Sequence, residues 1–212
     1  MDSDLLDDLA DRAIGLTGDD RRVLLGITGA PGAGKTTLAA ALVQRLRADG
    51  LAVAHVPMDG FHLADAALIE RGLLDRKGAI ETFDAHGYLA LLRRLRIELD
   101  HDVLAPDFER TLEQPIAGAI TVRPQDRIVV TEGNYLLDDE GAWPAVRAAL
   151  DETWFIDIDD SVRVGRLVRR HVRFGKPEPE AASWVAQVDE ANARRVIARR
   201  SAADLVVDGA LL

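Results

Sequence analysis

The apolar positions of this chain change repeatedly from strand spacing to helix spacing. A continuous apolar run at 23–27 predicts a strand buried on both faces of a parallel sheet. The helical spacing of Leu38, Leu42 and Leu46 then predicts a helix that stops near Gly50. Further strands are predicted at 51–56, 128–131, 154–158 and 204–207, and further helices at 3–16, about 83–99, 161–173 and 179–199. This alternation predicts an α/β fold of three layers, with a doubly wound, mainly parallel sheet between helices.

The 212 residues are expected to form a single domain over 1–212, because 48% hydrophobic residues can build one sizeable core. Early acidic residues and an apolar stripe of Leu5, Leu9 and Ala13 predict an N-terminal helix within 1–20. The segment at about 100–124 has turn residues and no sustained period, which predicts a small hairpin excursion. Ligands of such folds bind at the carboxyl ends of the strands, so the residues that follow strands are the candidates for function.

The segment between the first strand and its helix reads GAPGAGKT at 29–36 and matches the phosphate-binding pattern G-x-x-x-x-G-K-[ST]. Its glycines let the backbone take positive φ and approach a ligand, so that N–H groups converge on a phosphate at the helix N-terminus. Lys35 is expected to reach the β and γ phosphates of a nucleotide. The Thr36 hydroxyl is expected to ligate the Mg²⁺ ion bound to them.

Two carboxylates follow strands that should end near this loop. Asp59, in PMDGFH, could accept the proton of a substrate hydroxyl or help position magnesium, and ordinary Asp-Gly turn chemistry is the alternative. Glu132, at the end of RIVVTEG, is placed to hold magnesium directly or through water, with a solvated turn glutamate as the alternative. Among the scattered histidines only His62 is of interest, because it follows Asp59, and their spacing argues against zinc.

Arginines recur on one face of the predicted helix at 161–173. Guanidinium groups on a mobile helix could neutralise charge on a transferred phosphoryl group, and RFGKP at 173–177 offers a hinge, so 161–178 is predicted to be an Arg-rich lid. A solvated basic face is the alternative. The arginines concerned are Arg163, Arg166, Arg170 and Arg173.

The order of motifs along the chain resembles one family of enzymes. GAPGAGKTT, MDGFH, ETFDAHGY, APDFERTLEQP, RIVVTEGNYLL and SVRVGRLVRRHVRFGK are similar to the phosphoribulokinase, uridine kinase and type I pantothenate kinase superfamily. The similarity covers nearly the whole chain from Arg22. It is greatest to the bacterial branch described as nucleoside/nucleotide kinase-like or fructose transport system kinase. The resemblance implies a P-loop NTPase fold of the small-molecule kinase type, ATP and Mg²⁺ as cofactors, and an alcohol group as the phosphate acceptor.

The resemblance also implies roles for individual residues. Asp59 would be the catalytic base, assisted by Lys35 and by lid arginines Arg166 and Arg170, with Glu132 near magnesium. The residues implied for the ATP phosphates are Gly29, Ala30, Pro31, Gly32, Ala33, Gly34, Lys35, Thr36 and Thr37. Those implied around the acceptor are Asp59, Phe61, His62, Phe83, Asp84 and Phe108.

Two departures from the family bear on the acceptor. Uridine kinases share a Tyr-Asp pair after a proline in the hairpin region, where this chain has Phe108 and Glu109. Pantothenate kinases follow DGF with a tyrosine-containing segment, which is absent here. With only 5% aromatic residues and with polar side chains such as Arg110 and His62 to bond adjacent hydroxyls, a sugar, polyol or related small hydroxylated metabolite is the predicted acceptor.

Other functions remain as alternatives. These are a uridine/cytidine or pantothenate kinase, a nucleotide hydrolase or GTPase, and a nucleotide-binding regulatory module without turnover. The chain has no N-K-x-D guanine signature, which argues against a GTPase. Intact Lys35, Thr36, Asp59 and Glu132 argue against a module without turnover.

Composition bears on partners and location. A net charge of −10 argues against nucleic-acid and anionic-membrane binding, which rely on basic surface. No apolar run reaches the roughly 18 residues that span a bilayer, and the acidic start is unlike a signal peptide, so a cytoplasmic location is expected. The lack of cysteine excludes disulfides, thiolate metal sites and cysteine nucleophiles. A homodimer is compatible with this composition.

Overall fold

The structure is a computed structural model that describes residues 2–18 and 21–212. Its helices are α1 (Ser3–Gly15), α2 (Lys35–Ala48), α3 (Asp65–Arg71), α4 (Ala85–Ile97), α5 (Trp143–Ala149), α6 (Asp160–Arg173), α7 (Glu178–Trp184) and α8 (Glu190–Ile197). Its strands are β1 (Val23–Gly29), β2 (Val53–His55), β3 (Val103–Glu109), β4 (Gln114–Val122), β5 (Ile128–Glu132), β6 (Glu152–Asp157) and β7 (Leu205–Asp208). No helix in these ranges is both long and apolar enough to cross a membrane.

In the described part of the chain, five parallel strands form the main sheet in the order β2-β5-β1-β6-β7. Alternate residues of each strand face opposite sides, so the sheet separates two hydrophobic cores. Leu24 and Val129 pack with α4 and α5 on one side, and Val23 and Leu25 pack with α1 and α2 on the other. The predicted three-layer, doubly wound α/β fold is confirmed.

The remaining strands form the predicted hairpin. β3 and β4 pair antiparallel from Val103 with Val122 to Glu109 with Gln114. The hairpin packs on the turn that follows β2: a Cβ added at Gly60 would lie 2.4 Å from the carbonyl oxygen of Pro106. This close approach requires glycine and sets the hairpin beside Asp59.

Several helices differ from the expectation. The N-terminal helix is confirmed as α1, and positions 1, 19 and 20 of the predicted 1–20 segment lie outside the described residues. Two helices of seven residues, α3 and α5, were not predicted, because so short a segment shows too little periodicity. The helix expected over 83–99 ends at Ile97. The helix expected over 179–199 is α7 and α8, joined by a π-helical turn at Val185–Asp189.

Candidate active site

The loop between β1 and α2 has the backbone geometry of a phosphate cradle. Gly32 and Gly34 take φ values of 82° and 102°, in the left-handed region that favours glycine. At Gly32 an added Cβ would lie 2.8 Å from the carbonyl oxygen of Arg163 on α6. Gly34 is the N-cap of α2, so free backbone N–H groups at the start of that helix face the loop. Two glycines are therefore required by conformation, and one of them also by close packing against α6.

Lys35 is buried beneath this loop. Its Nζ donates to the carbonyl oxygens of Gly29 at 3.0 Å and Ala30 at 3.2 Å. Burial lowers the pKa of Lys35 to about 8, while the negative charges of Glu132 and Asp59 act in the opposite direction. An ammonium group held this way is preorganised to meet an anion at the loop.

Glu132 and Thr36 form an oxygen-rich pair beside the lysine. The Thr36 hydroxyl donates to Oε1 of Glu132 at 2.9 Å, and Glu132 is only 3% exposed, which rules out the solvated turn glutamate. Burial and the nearby charge of Asp59 raise the pKa of Glu132 to about 7. A carboxylate next to a hydroxyl at the end of a phosphate loop matches the oxygen donors that Mg²⁺ prefers. These two residues therefore fit a magnesium ion.

Asp59 lies in the short 3-10 turn Met58–Phe61 that follows β2. Its Oδ2 is 3.6 Å from Nη2 of Arg110, which the hairpin supplies. Asp59 also acts electrostatically on both Lys35 and Glu132. The sheet and the hairpin thus bring these four charged groups together from four separate parts of the sequence.

Three adjoining cavities surround these groups. The loop cavity, about 340 Å³, is lined by the phosphate-binding loop together with Arg110, Arg166 and Arg170. The carboxylate cavity, about 180 Å³, holds Asp59 and Glu132 and shares Lys35, Thr36 and Arg170 with the first. The lysine cavity, about 430 Å³, continues from the carboxylate cavity and is lined by Lys77, Lys176 and Trp184 among others.

Most of the residues expected at the site line these cavities. Gly32, Gly34, Thr36 and Thr37 line the loop cavity. Those lining the carboxylate cavity are Pro31, Gly32, Lys35, Thr36, Asp59, His62, Phe83, Phe108, Arg110, Glu132 and Arg170. The His62 ring packs against Phe83 and Phe108, with centroids 4.0 and 4.7 Å apart. Gly29 and Ala30 accept the hydrogen bonds of Lys35, and Ala33 packs into the core beneath the loop.

Two residues expected around the acceptor have other roles. The Phe61 ring packs in the core with its centroid 5.1 Å from that of Tyr88. The Asp84 side chain caps α4, accepting a hydrogen bond from the backbone N–H of Gly87 at 2.8 Å. Neither lines the three cavities, because Phe61 packs against Tyr88 of α4 and Asp84 is the N-cap of the same helix.

The arginines expected on one face of α6 have different surroundings in the structure. Arg166 and Arg170 face the phosphate loop, whereas Arg163 is fully buried and contacts Asp160 at 2.7 Å and Glu190 at 2.6 Å. Arg163 and Glu190 are close enough for an ion pair but are not aligned for a hydrogen bond. Arg163 therefore ties α6 to α8 and is not a lid arginine. Sequence spacing could not indicate this, because Glu190 lies on another helix.

Nine residues that line the carboxylate cavity were missed by the sequence reasoning. His171 on α6 contacts Asp189 through Nε2 and Oδ2 at 2.9 Å, and Asp189 ends the π-helical turn. These residues come together through the packing of α6, α7 and α8, for which the sequence carries no local signal. The missed residues of this cavity are Lys77, Gly78, Glu113, Asn134, His171, Trp184, Val188, Asp189 and Asn192.

Comparisons with known proteins identify relatives of this chain. A solved structure from Silicibacter sp., provisionally named a fructose transport system kinase, is 38% identical, covers 95% of this chain and 98% of its own, and superposes with a TM-score of 0.88. An ATP-dependent kinase-like protein of Aspergillus versicolor is 33% identical over 72% of this chain and 94% of its own. A provisionally named uridine kinase of Schizosaccharomyces pombe is 34% identical over 80% of this chain and 74% of its own.

The chain belongs to the P-loop kinases of the phosphoribulokinase and uridine kinase superfamily. As a member, it is an ATP-dependent kinase that acts on small molecules. The family model of the methylmalonyl-CoA mutase-associated GTPase MeaB also matches, over residues 3–63. That match spans under a third of the chain and contains the phosphate loop, which P-loop kinases and GTPases share.

The contact between Gly60 and the hairpin predicts a sensitive position in this kinase. Gly60→Ala places a methyl group against the carbonyl of Pro106 and should destabilise the fold by about 1 to 3 kcal/mol, as overpacking does. Chemical denaturation measures this loss. Gly15→Ala, at the end of α1, is the matched control, because a Cβ added there has open space around it and the φ of Gly15 is not positive. Equal losses at both positions would contradict the proposed close contact.

Proposed function

We propose that this kinase transfers the γ-phosphate of ATP to a hydroxyl of a small metabolite, with Asp59 as the general base. The observation that carries the proposal is the shared cavity of Asp59, Lys35, Thr36 and Glu132. Asp59 is 30% exposed on its side chain, so an acceptor hydroxyl can reach it. The carboxylate takes the proton of that hydroxyl as its oxygen bonds to the γ-phosphorus and ADP leaves.

The phosphate loop and its lysine hold the nucleotide in this proposal. Backbone N–H groups at the start of α2 and the Lys35 ammonium bind the phosphates, while Thr36 and Glu132 would hold a magnesium ion. A Mg²⁺ ion bound there supplies further positive charge to the β and γ phosphates. Arg166 and Arg170 line the same cavity on α6 and neutralise charge on the transferred group.

The proposed acceptor is a sugar, polyol or related hydroxylated compound. At the carboxylate cavity the His62 ring packs against both Phe83 and Phe108, which leaves less of these ring faces free to clamp a base. Arg110, with a side chain 46% exposed beside Asp59, can donate several hydrogen bonds to adjacent hydroxyls. A site built on such bonds discriminates against acceptors that lack them.

One observation favours a nucleoside as the second candidate. The indole ring of Trp184 lines both the carboxylate cavity and the lysine cavity, and a flat ring of this kind can stack on a pyrimidine. The name of the Schizosaccharomyces pombe relative points the same way.

A panel of acceptors decides between these candidates. We expect ADP formation to require an added acceptor and kcat/KM to be highest for a hydroxylated metabolite that is not a nucleoside. Coupled ADP release would be measured with pentoses, hexoses, polyols, pantothenate, uridine and cytidine. A kcat/KM for uridine or cytidine at least about tenfold above every sugar and polyol would restore the nucleoside kinase hypothesis. ADP release without any acceptor would indicate a hydrolase.

A further inference from the structure

We infer that the hydroxylated acceptor carries an anionic group, a carboxylate or a phosphate ester, which Lys77 and Lys176 bind in the lysine cavity. The inference rests on the proposed function, because it concerns the far end of the compound whose hydroxyl faces Asp59. It adds a substrate class and two specificity-determining residues to that site.

The position of the lysine cavity is the first observation. It shares Lys77, Arg110, Arg170 and Trp184 with the carboxylate cavity, so one small molecule can extend from Asp59 into it. Lys77 and Lys176 do not line the loop cavity, where the nucleotide phosphates are proposed to bind. Their charge is therefore available to the acceptor.

The charge of the lysine cavity is the second observation. Four cationic side chains line it against two carboxylates, in a chain whose net charge is −10. A local excess of positive charge in an acidic protein attracts an anionic ligand. The cations are Lys77, Arg110, Arg170 and Lys176, and the carboxylates are Asp65 and Glu113.

Two contacts hold the Lys77 ammonium group in place and leave one of its N–H donors free for a ligand. Its Nζ contacts Oδ1 of Asp65 at 2.7 Å and donates to the carbonyl oxygen of Glu113. An ammonium group has three donors, so one remains for a ligand. The same Nζ lies 5.5 Å from the centroid of Phe108, a residue of the carboxylate cavity. Lys77 therefore sits between the two cavities.

Lys176 supplies a charge that is not neutralised by an acid. It follows Gly175 in the turn between α6 and α7, and its Nζ lies 4.6 Å from the ring centroid of Trp184. Among the described residues it has no carboxylate partner. An unpaired cation over an aromatic ring at a cavity wall is placed to bind an anion.

The distribution of lysine in the chain agrees with this assignment. Of the 26 basic residues only three are lysines, and all three line these cavities: Lys35, Lys77 and Lys176. Lysine is a compact point charge, whereas the arginine fork suits planar ion pairs, which this chain uses across its surface. Like the lysine of the phosphate loop, the two lysines of the lysine cavity thus stand where an anion is proposed to bind.

Matched acceptors test the inference. The panel compares glycerol with glycerate and glycerol 3-phosphate, and ribose with ribonate and ribose 5-phosphate, by coupled ADP release and by calorimetry with a non-hydrolysable ATP analogue. We expect an anionic member to exceed its neutral parent at least about tenfold in kcat/KM. The carboxylate and phosphate arms show which anion the cavity accepts.

Charge-removing variants test the two residues. Lys176→Gln and Lys77→Gln should raise KM for the anionic acceptor at least about tenfold, with KM for ATP unchanged. Arg169→Gln on α6 and Arg76→Gln are the matched controls. Arg76 precedes Lys77 in the chain and pairs with Glu81. Both control variants should leave the KM for the acceptor and the KM for ATP unchanged. Lys77 also tethers Asp65, so Lys176→Gln is the decisive variant if Lys77→Gln lowers the melting temperature.

The outcomes separate the inference from the proposed function. Neutral acceptors that are turned over as well as or better than their anionic partners would overturn the inference and leave the kinase proposal intact. Anionic compounds that bind in a lysine-dependent manner without ADP formation would uphold the inference and overturn the proposed transfer. If no compound is bound or turned over, both are contradicted.

Discussion

Lys35→Ala is expected to abolish phosphoryl transfer, with turnover reduced at least about 10³-fold. Backbone N–H groups of the loop carry only partial charge, whereas Lys35 brings a full positive charge that is already oriented by the carbonyl oxygens of Gly29 and Ala30. Removing it takes away the cationic side chain that most lowers the pKa of the buried Glu132. Coupled ADP release measures the loss of turnover, and calorimetry measures the loss of nucleotide binding.

Two controls keep this result interpretable. A thermal melt by circular dichroism shows whether Lys35→Ala is folded. Gln44→Ala, at an exposed position farther along α2 that lines none of the three cavities, should retain the activity. Wild-type turnover in folded Lys35→Ala would show that the phosphate-loop assignment is wrong.

Asp59→Asn is expected to lower kcat by about 10² to 10⁴ while ATP affinity changes little. Asparagine keeps the shape of the side chain and can still bond Arg110, but it cannot accept the proton of an attacking hydroxyl. Single-turnover kinetics and nucleotide titration separate the chemical step from binding. A loss of ATP binding as large as the loss of turnover would instead assign Asp59 to the metal site.

Asp84→Asn is the matched control for Asp59→Asn. The family resemblance implies that Asp84 contacts the acceptor, whereas in the structure its side chain caps α4. Asparagine is an equally good helix cap, so this variant should keep both stability and kcat. A loss of kcat comparable to that of Asp59→Asn would return Asp84 to the acceptor site.

Local sequence was sufficient to predict much of the site. The phosphate loop is contiguous, and its glycines, lysine and threonine act through the backbone of the same segment, so its geometry is determined within about eight residues. Asp59 and Glu132 were identifiable because parallel strands end at one edge of the sheet, and an acid after a strand must lie near that edge. The hairpin was identifiable from its turn residues, although its contact with Gly60 was not.

The predicted lid shows what helical spacing alone could not predict. Helical spacing correctly grouped the arginines of α6, yet Arg163 is buried by α8 while Arg166 and Arg170 line the loop cavity. A single helix specifies which side chains share a face. Its partner helices decide whether that face meets solvent, protein or ligand.

By itself, the sequence determined the α/β class of this protein, its phosphate loop and the carboxylates at the strand ends. These properties depend on periodicity and on groups close together in the chain, and local backbone geometry is enough to express them. Only the tertiary structure decided that the Phe61 ring packs against Tyr88, and that Lys77, Lys176 and Trp184 enclose a cavity beside the acceptor side. The cavity depends on contacts between segments up to about a hundred residues apart, such as those of Lys77 and Trp184, whose energies arise from packing and carry no signal in either segment alone.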